Sequence, residues 1–93
     1  MFCLYKVTSV QEALEYANFS KFGHGATVFS ESPNYCKQMT LRLRVGMVHL
    51  NHAPYITSEF PSGGIKDSGF GSSSYHDGVT NLANRKGIVN KTW

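Results

Sequence analysis

Two helical patterns with clear start signals divide the first fifty residues, and each lies between short apolar segments typical of strands. Ser9 and Glu12 form an S-x-x-E capping box in front of VQEALEYANF, whose apolar residues recur with helical spacing. Ser32 and Pro33 begin the second pattern as an N-cap and a first helical residue. The predicted order is strand, helix, strand, helix, strand, and this order corresponds to two successive βαβ crossovers. The pattern therefore predicts an α/β fold with a parallel sheet.

The predicted elements of this βαβαβ unit are two helices and three strands: helices near 9–19 and 32–45, and strands near 2–7, 25–30 and 46–50. Antiparallel pairing among these three strands would contradict the predicted fold. Further along the chain, the sequence predicts a short helical turn near 76–83. A final strand is predicted in KGIVNKTW, residues 86–93, well separated from the other three.

A long stretch rich in glycine and serine follows the third predicted strand. After Asn51 neither a helical nor a strand period is visible for more than twenty residues, and this stretch includes FPSGGIKDSGFGSSS at 60–74. A compact domain seldom tolerates so long a loop unless the loop is functional or is supported by other structure. A flexible linker is the alternative, but a linker is less favoured because four larger side chains are interleaved with the glycines: Ile65, Lys66, Asp67 and Phe70.

Composition favours one small globular domain. The chain has 93 residues, of which 41% are hydrophobic and 16% charged, and it has no apolar run long enough for a membrane span. The net charge of +3 comes from scattered lysines and arginines, which is a weak pattern for nucleic-acid binding. The first residues do not have the pattern of a secretory signal, so a cytoplasmic location is the default expectation.

Cysteine and histidine residues do not have the spacing that redox or metal chemistry needs. Cys3 and Cys36 share no C-x-x-C motif, and we expect both to be reduced thiols that pack in the core. His49 and His52 have no cysteine or carboxylate nearby at ligand spacing, so no metal site is predicted. GGIKDSG lacks the residue order of a phosphate-binding P-loop.

Three segments resemble motifs of the aldehyde dehydrogenase superfamily and occur in the family's order. PSGGIKDSGFG resembles P-F-G-G-x-K-x-S-G-x-G, EALEYANFSKFGHGATVFS is similar to the family's E-A-(x)3-A-N stretch, and VGMVHLN is similar to its G-x-V-x-(V/I)-N strand. The resemblance implies that residues 1–93 are a partial catalytic domain. It would consist of a βαβαβ unit at 1–50, a glycine-rich active-site loop at 51–75, and a helical turn with an oligomerisation strand at 76–93.

The resemblance implies a part in the oxidation of an aldehyde to a carboxylic acid with NAD or NADP. In the family a cysteine thiolate attacks the aldehyde, hydride passes to the nicotinamide, and a glutamate-activated water hydrolyses the thioester. Neither Cys3 nor Cys36 lies in a matching motif, so no catalytic residue is assigned. The chain alone is expected to be inactive and to bind neither NAD nor NADP. The resemblance places these residues on the aldehyde tunnel and its loop: Asn51, Ile56, Ser62, Gly63, Gly64, Lys66, Ser68 and Gly69.

Ser62 stands where the family motif has an aromatic residue, so this tunnel wall is expected to be smaller and more polar. The resemblance also implies that the C-terminal strand pairs within an oligomerisation sheet. We therefore expect the chain to self-associate or to bind a longer homologue through residues 86–93, and we expect no nucleic acid, membrane or metal partner. A small stand-alone interaction module without catalysis is the alternative function.

Overall fold

Three helices and four short strands follow one another in the computed structural model, which describes residues 1–91. In chain order they are α1 (Val10–Phe19), β1 (Phe22–Gly23), β2 (Gly25–Val28), α2 (Pro33–Arg42), β3 (Met47–Leu50), β4 (Ile65–Lys66) and α3 (Tyr75–Thr80). The α/β class predicted from the sequence is confirmed. The predicted helical turn near 76–83 is also confirmed, and it corresponds to α3.

The centre of the fold is a parallel β2–α2–β3 unit. β2 and β3 pair along their whole length, with Gly25 opposite Met47 and Val28 opposite Leu50. Parallel strands need a crossover between them, and α2 supplies it. Two of the three predicted strands therefore pair in the predicted sense. β1 and β4 form a separate antiparallel pair, which the sequence did not indicate.

Helix α1 begins at the predicted capping box. The Ser9 hydroxyl accepts a hydrogen bond from the backbone N–H of Glu12 at 3.1 Å, which satisfies one free donor of the first turn. The Glu12 carboxylate accepts from the backbone N–H and the hydroxyl of Thr8, at 2.8 and 2.9 Å. In a capping box the Glu12 carboxylate would accept from the N–H of Ser9, the N-cap. Here it accepts instead from Thr8, one residue earlier.

Helix α2 has Ser32 as its N-cap, as predicted, but ends at Arg42 rather than near residue 45. A side chain from α1 binds the backbone at this end. The Asn18 amide donates to the carbonyl oxygen of Arg42 at 2.9 Å, and its oxygen accepts from the N–H of Arg44 at 2.8 Å. The first bond satisfies a free carbonyl of the last turn and the second an N–H just beyond it, and together they join α1 to α2.

The prediction of a strand at 2–7 is wrong. Within the described residues this segment has no strand beside it, and alternation alone does not form a strand without a hydrogen-bonding neighbour. Phe2 and Leu4 are largely exposed, and the Tyr5 ring stacks on Tyr16 of α1 with centroids 5.4 Å apart. Cys3 is exposed as well, so its predicted role in core packing is also wrong, for the same reason.

The strand predicted in KGIVNKTW is not formed over residues 86–91, while Thr92 and Trp93 lie outside the described residues. Ile88 and Val89 are almost fully exposed. Their β-branched side chains favour a strand only where a neighbouring strand and a packing surface exist, and the described part of the chain offers neither to them.

Burial is limited across the molecule. The buried apolar residues are Leu14, Cys36 and Leu43, so the predicted packing role of Cys36 is confirmed. The accessible surface is 8178 Å², whereas a folded monomer of this mass exposes about 5,400 Å². The radius of gyration is 18.0 Å, against roughly 13 Å for a compact domain of this size. Much apolar surface is therefore left without cover by the described residues.

Candidate functional site

Asn51 joins the two loops at the carboxyl ends of the parallel strands. Its side-chain oxygen accepts from the N–H of Ser30 at 2.8 Å, and its amide donates to the carbonyl oxygen of Ser30 at 3.0 Å. Its backbone has a φ of 58°, in the left-handed region that asparagine tolerates better than most residues. Asn51 therefore turns the chain out of β3 while it fixes the end of β2.

A cleft lies between β3 and the segment that follows Asn51. This strand-end cleft, bounded by Gly46–Leu50 and by residues from 52 to 62, has a volume of 480 Å³. An adjoining cavity of 560 Å³ shares Met47, His49, Tyr55 and Ile56 with it and extends to β2. No lysine, arginine, aspartate or glutamate lines either space, so aromatic, apolar and uncharged polar groups set their chemistry.

Three rings form an aromatic cluster on the wall of the strand-end cleft. The centroids of His49 and His52 are 5.3 Å apart, those of His52 and Tyr55 are 5.0 Å apart, and those of His49 and Tyr55 are 5.8 Å apart. Such separations are typical of favourable ring contacts. The Nδ1 atom of His52 donates to the carbonyl oxygen of Ala53 at 2.7 Å, because a carbonyl can only accept.

The glycine-rich loop returns to the cleft through a short bridge. Ser62, which is buried, exchanges two backbone hydrogen bonds with Ser73, at 2.8 and 2.7 Å. A Cβ added at Gly46 would overlap the carbonyl oxygen of Gly63, and one added at Gly63 would overlap that of Gly71. Glycine is needed here because backbone packs directly on backbone. The loop is therefore a built wall of the cleft rather than a flexible linker.

The middle of the same loop is fixed to the end of α1. β4 pairs with β1, and the Asp67 N–H donates to the carbonyl oxygen of Lys21 at 3.0 Å. The Ser68 hydroxyl accepts from the N–H of Gly23 at 2.9 Å. The Lys66 ammonium donates to the carbonyl oxygens of Asn18 and Ser20, both at 3.2 Å. These contacts hold the loop in one register against the rest of the fold.

The residues that the sequence placed on the tunnel and loop do not all meet at one place. Ile56 and Ser62 both line the strand-end cleft. Ser62 also borders a shallow depression on the glycine-rich loop, whose lining includes Gly63, Gly64, Ser68 and Gly69. Asn51 instead borders a depression beside Cys36, and the Lys66 side chain is directed to α1.

Sequence reasoning missed the aromatic cluster and the role of Asn18. His49, His52 and Tyr55 are spaced three residues apart, and that spacing was a signal that could have grouped them. From the sequence, His49 and His52 stood out only as possible metal ligands. In residues 1–91 no three His, Cys, Asp or Glu side chains are placed to hold a metal ion. Across the same residues, no helix is long and apolar enough to span a bilayer.

The cleft is lined on one side by the whole of β3 and on the other by the segment that follows it, and concave, mostly apolar spaces of this kind commonly bind small molecules. Residues 1–88 match the aldehyde dehydrogenase family, and the chain belongs to this family. It is 36% identical over 83 residues to the succinate-semialdehyde dehydrogenase [NADP(+)] of Deinococcus radiodurans. The aligned region covers 89% of this chain and 17% of that protein.

Two solved structures show the same likeness. Succinic semialdehyde dehydrogenase from Streptococcus pyogenes, in complex with NADP+, gives a TM-score of 0.84 at 38% identity, over 92% of this chain and 19% of that one. Betaine aldehyde dehydrogenase from Staphylococcus aureus, in complex with NAD+, gives a TM-score of 0.78 at 29% identity, over 81% of this chain and 15% of that one. The chain thus spans less than a fifth of the length of these relatives, which use NAD or NADP.

Proposed function

We propose that the chain supplies one wall of the aldehyde tunnel in a catalytic domain that oxidises an aldehyde to a carboxylic acid, with NAD or NADP as the hydride acceptor. The observation that carries the proposal is the strand-end cleft, where Ile56 and Ser62 lie on one wall. In this proposal residues 1–50 form the α/β support, 51–75 the active-site loop, and 76–93 the segment that reaches a partner.

The named residues divide into those that face the aldehyde and those that position the loop. Ile56 and Ser62 shape the space open to the substrate. Gly63, Gly64 and Gly69 allow the loop to approach other backbone closely or to take a positive φ. The other three residues keep this wall in place through contacts with backbone groups elsewhere in the fold: Asn51, Lys66 and Ser68.

The chain alone is proposed to have no aldehyde oxidation activity and no site for NAD or NADP. The family reaction needs an activated thiolate, whereas the Cys36 thiol is buried and lies 3.8 Å from the carbonyl oxygen of Ser30. Purified chain mixed with aldehydes and either nicotinamide should form no reduced cofactor above a blank. Turnover that Cys36→Ser abolishes would contradict this proposal.

A chimera tests the tunnel assignment directly. The matching segment of the Streptococcus pyogenes enzyme would be replaced by residues 1–88 of this chain, since the two superpose with a TM-score of 0.84. We expect the chimera to fold and to oxidise at least one aldehyde with NADP+. The same chimera carrying Gly46→Ala, which displaces the loop, should lose most of that activity. A folded chimera without activity toward any aldehyde would contradict the assignment.

Association is proposed to occur through the C-terminal segment, with a second copy or a longer homologue. Two observations support this association. Much apolar surface is exposed, and Ile88 and Val89, whose side chains favour strands, pair with no strand in the described residues. Light scattering should show association at tens of micromolar that is reduced by deletion of residues 87–93. A monodisperse monomer that is unchanged by the deletion would favour the stand-alone module instead.

The free thiols of Cys3 and Cys36 fit a reducing, cytoplasmic compartment.

A further inference from the structure

We propose that the strand-end cleft takes an uncharged aldehyde that carries an aromatic ring, and discriminates against aldehydes that carry a carboxylate. This inference rests on the proposed function and names the substrate class of the same site. Three features of the cleft support it: the absence of a counter-charge, the aromatic cluster, and the space beside Ser62.

The first feature is the lack of a lysine or arginine that could form an ion pair with a carboxylate. No lysine or arginine lines the strand-end cleft. The Nδ1 of His52 already donates to the carbonyl oxygen of Ala53 at 2.7 Å. His49 Nε2 lies 3.3 Å from the carbonyl oxygen of Tyr55, and its Nδ1 is shielded from solvent. A carboxylate in this space would lose part of its hydration without gaining a lysine or arginine as an ionic partner.

The second feature is the aromatic wall. The rings of His49, His52 and Tyr55 contact one another, so the wall offers ring faces and edges held in place by their neighbours. Phe60 and Ile56 add apolar surface to the same cleft. A ligand with an aromatic ring can join such a cluster by offset or edge contacts, which an aliphatic acid cannot make.

The third feature is space of the right size. Ser62 contributes a small side chain to the lining, and its backbone bridge to Ser73 holds it in position. The volume of 480 Å³ lies within the range of about 300 to 1,000 Å³ usual for small-molecule sites. An aromatic side chain at this position would occupy the space that a substrate ring needs.

The test measures binding to the 93-residue chain by NMR of the histidine rings. Benzyl alcohol and 4-hydroxybutyrate serve as unreactive analogues of an aromatic and an acidic aldehyde, so that neither condenses with lysines. Benzyl alcohol should shift the His49 and His52 signals at a concentration at least roughly tenfold lower than 4-hydroxybutyrate. The His76 ring, which packs on Tyr75, should not respond. Equal or tighter binding of 4-hydroxybutyrate would overturn the inference.

Variants distinguish binding at this cleft from non-specific binding to exposed apolar surface. Tyr55→Leu keeps apolar bulk but removes a ring of the cluster, and should weaken benzyl alcohol binding roughly 2- to 10-fold. Ser62→Phe should fill the cleft and abolish binding. Tyr35→Leu, on the half-exposed face of α2, is the matched control and should change nothing. An effect of Tyr35→Leu equal to that of Tyr55→Leu would overturn the inference.

The two proposals fail in different experiments. If the chimera oxidises aldehydes but benzyl alcohol does not bind the histidine cluster, the substrate class is wrong and the tunnel assignment stands. If the folded chimera is inactive, the tunnel assignment is wrong whatever the NMR titration shows, and the substrate class falls with it.

Discussion

The ammonium group of Lys66 lies 3.2 Å from the backbone carbonyl oxygen of Asn18, so that the glycine-rich loop is tied to the C-terminal end of α1. A second bond of the same length joins it to the carbonyl oxygen of Ser20. A positive charge is favourable at a helix C-terminus, where unpaired carbonyl groups carry partial negative charge. Asn18 in turn caps α2, so one short segment of α1 organises both neighbouring elements.

Replacement of Lys66 should loosen the loop without unfolding the chain. In Lys66→Met the bonds to Asn18 and Ser20 are lost, and we expect the Asp67 amide to exchange with solvent about fivefold faster, corresponding to ~1 kcal/mol. Hydrogen exchange followed by NMR measures this. Lys66→Arg keeps a cation and should recover part of the protection. Lys86→Met is the control, and equal exchange in both methionine variants would contradict the clamp.

A methyl group at Gly46 should displace the glycine-rich loop. The new Cβ would overlap the carbonyl oxygen of Gly63, and backbone cannot move aside as cheaply as a side chain. We expect Gly46→Ala to lower the free energy of unfolding by about 1 to 3 kcal/mol, measured by urea titration. Gly87→Ala adds the same methyl group where no atom lies within 4 Å, and it should leave the midpoint unchanged. Similar midpoints for the two variants would be evidence against this packing.

Substitutions at Asn51 should separate its side-chain bonds from its backbone conformation. Asn51→Gly keeps the φ of 58° easily but loses both bonds to Ser30, whereas Asn51→Ala loses the bonds and is strained as well. We expect losses of about 1 kcal/mol for the glycine variant and roughly 1 kcal/mol more for alanine. Chemical denaturation measures both, with Asn84→Ala as the control. A glycine variant less stable than the alanine variant would contradict the assigned role.

The start of α1 should weaken in acid because of Glu12. The backbone N–H of Thr8, and secondly its hydroxyl, hold the pKa of the Glu12 carboxyl below the usual value of 4.5. A lowered pKa in the folded state means that the stabilisation is present above pH 4.5 and is lost as pH falls through the folded value. Helical circular dichroism should therefore decrease as the pH is lowered from 6 to 3.

Two variants show whether Glu12 is the group responsible. Glu12→Gln cannot ionise, so its helical signal should be lower at pH 6 and should change less between pH 6 and 3. Glu15→Gln, which alters a carboxylate that accepts only from the Gln11 amide, should keep the acid response of the parent. An identical acid response in the Glu12→Gln variant would assign the transition to another group.

Local signals in the sequence determined the helices and the central parallel pair. The caps at Ser9 and Ser32 act within one turn of the backbone, so the residues that begin each helix are read directly from neighbouring letters. β2 and β3 follow because a helix between two apolar strands leaves them parallel. The motifs that indicated the family are contiguous segments, and for that reason they too were visible without the structure.

Tertiary structure alone decided which β-competent segments became strands and where the loop was fixed. Segments 2–7 and 86–91 have suitable composition but no strand beside them in the described chain, whereas the two residues of β4 pair because β1 lies next to them. Asn18 binds the end of α2 from 24 residues away, and Lys66 binds the end of α1 from 48 residues away. A strand pair, the Lys66 contact with α1 and the cleft each depend on residues that are distant in the sequence. A local sequence pattern does not show whether such residues will come into contact.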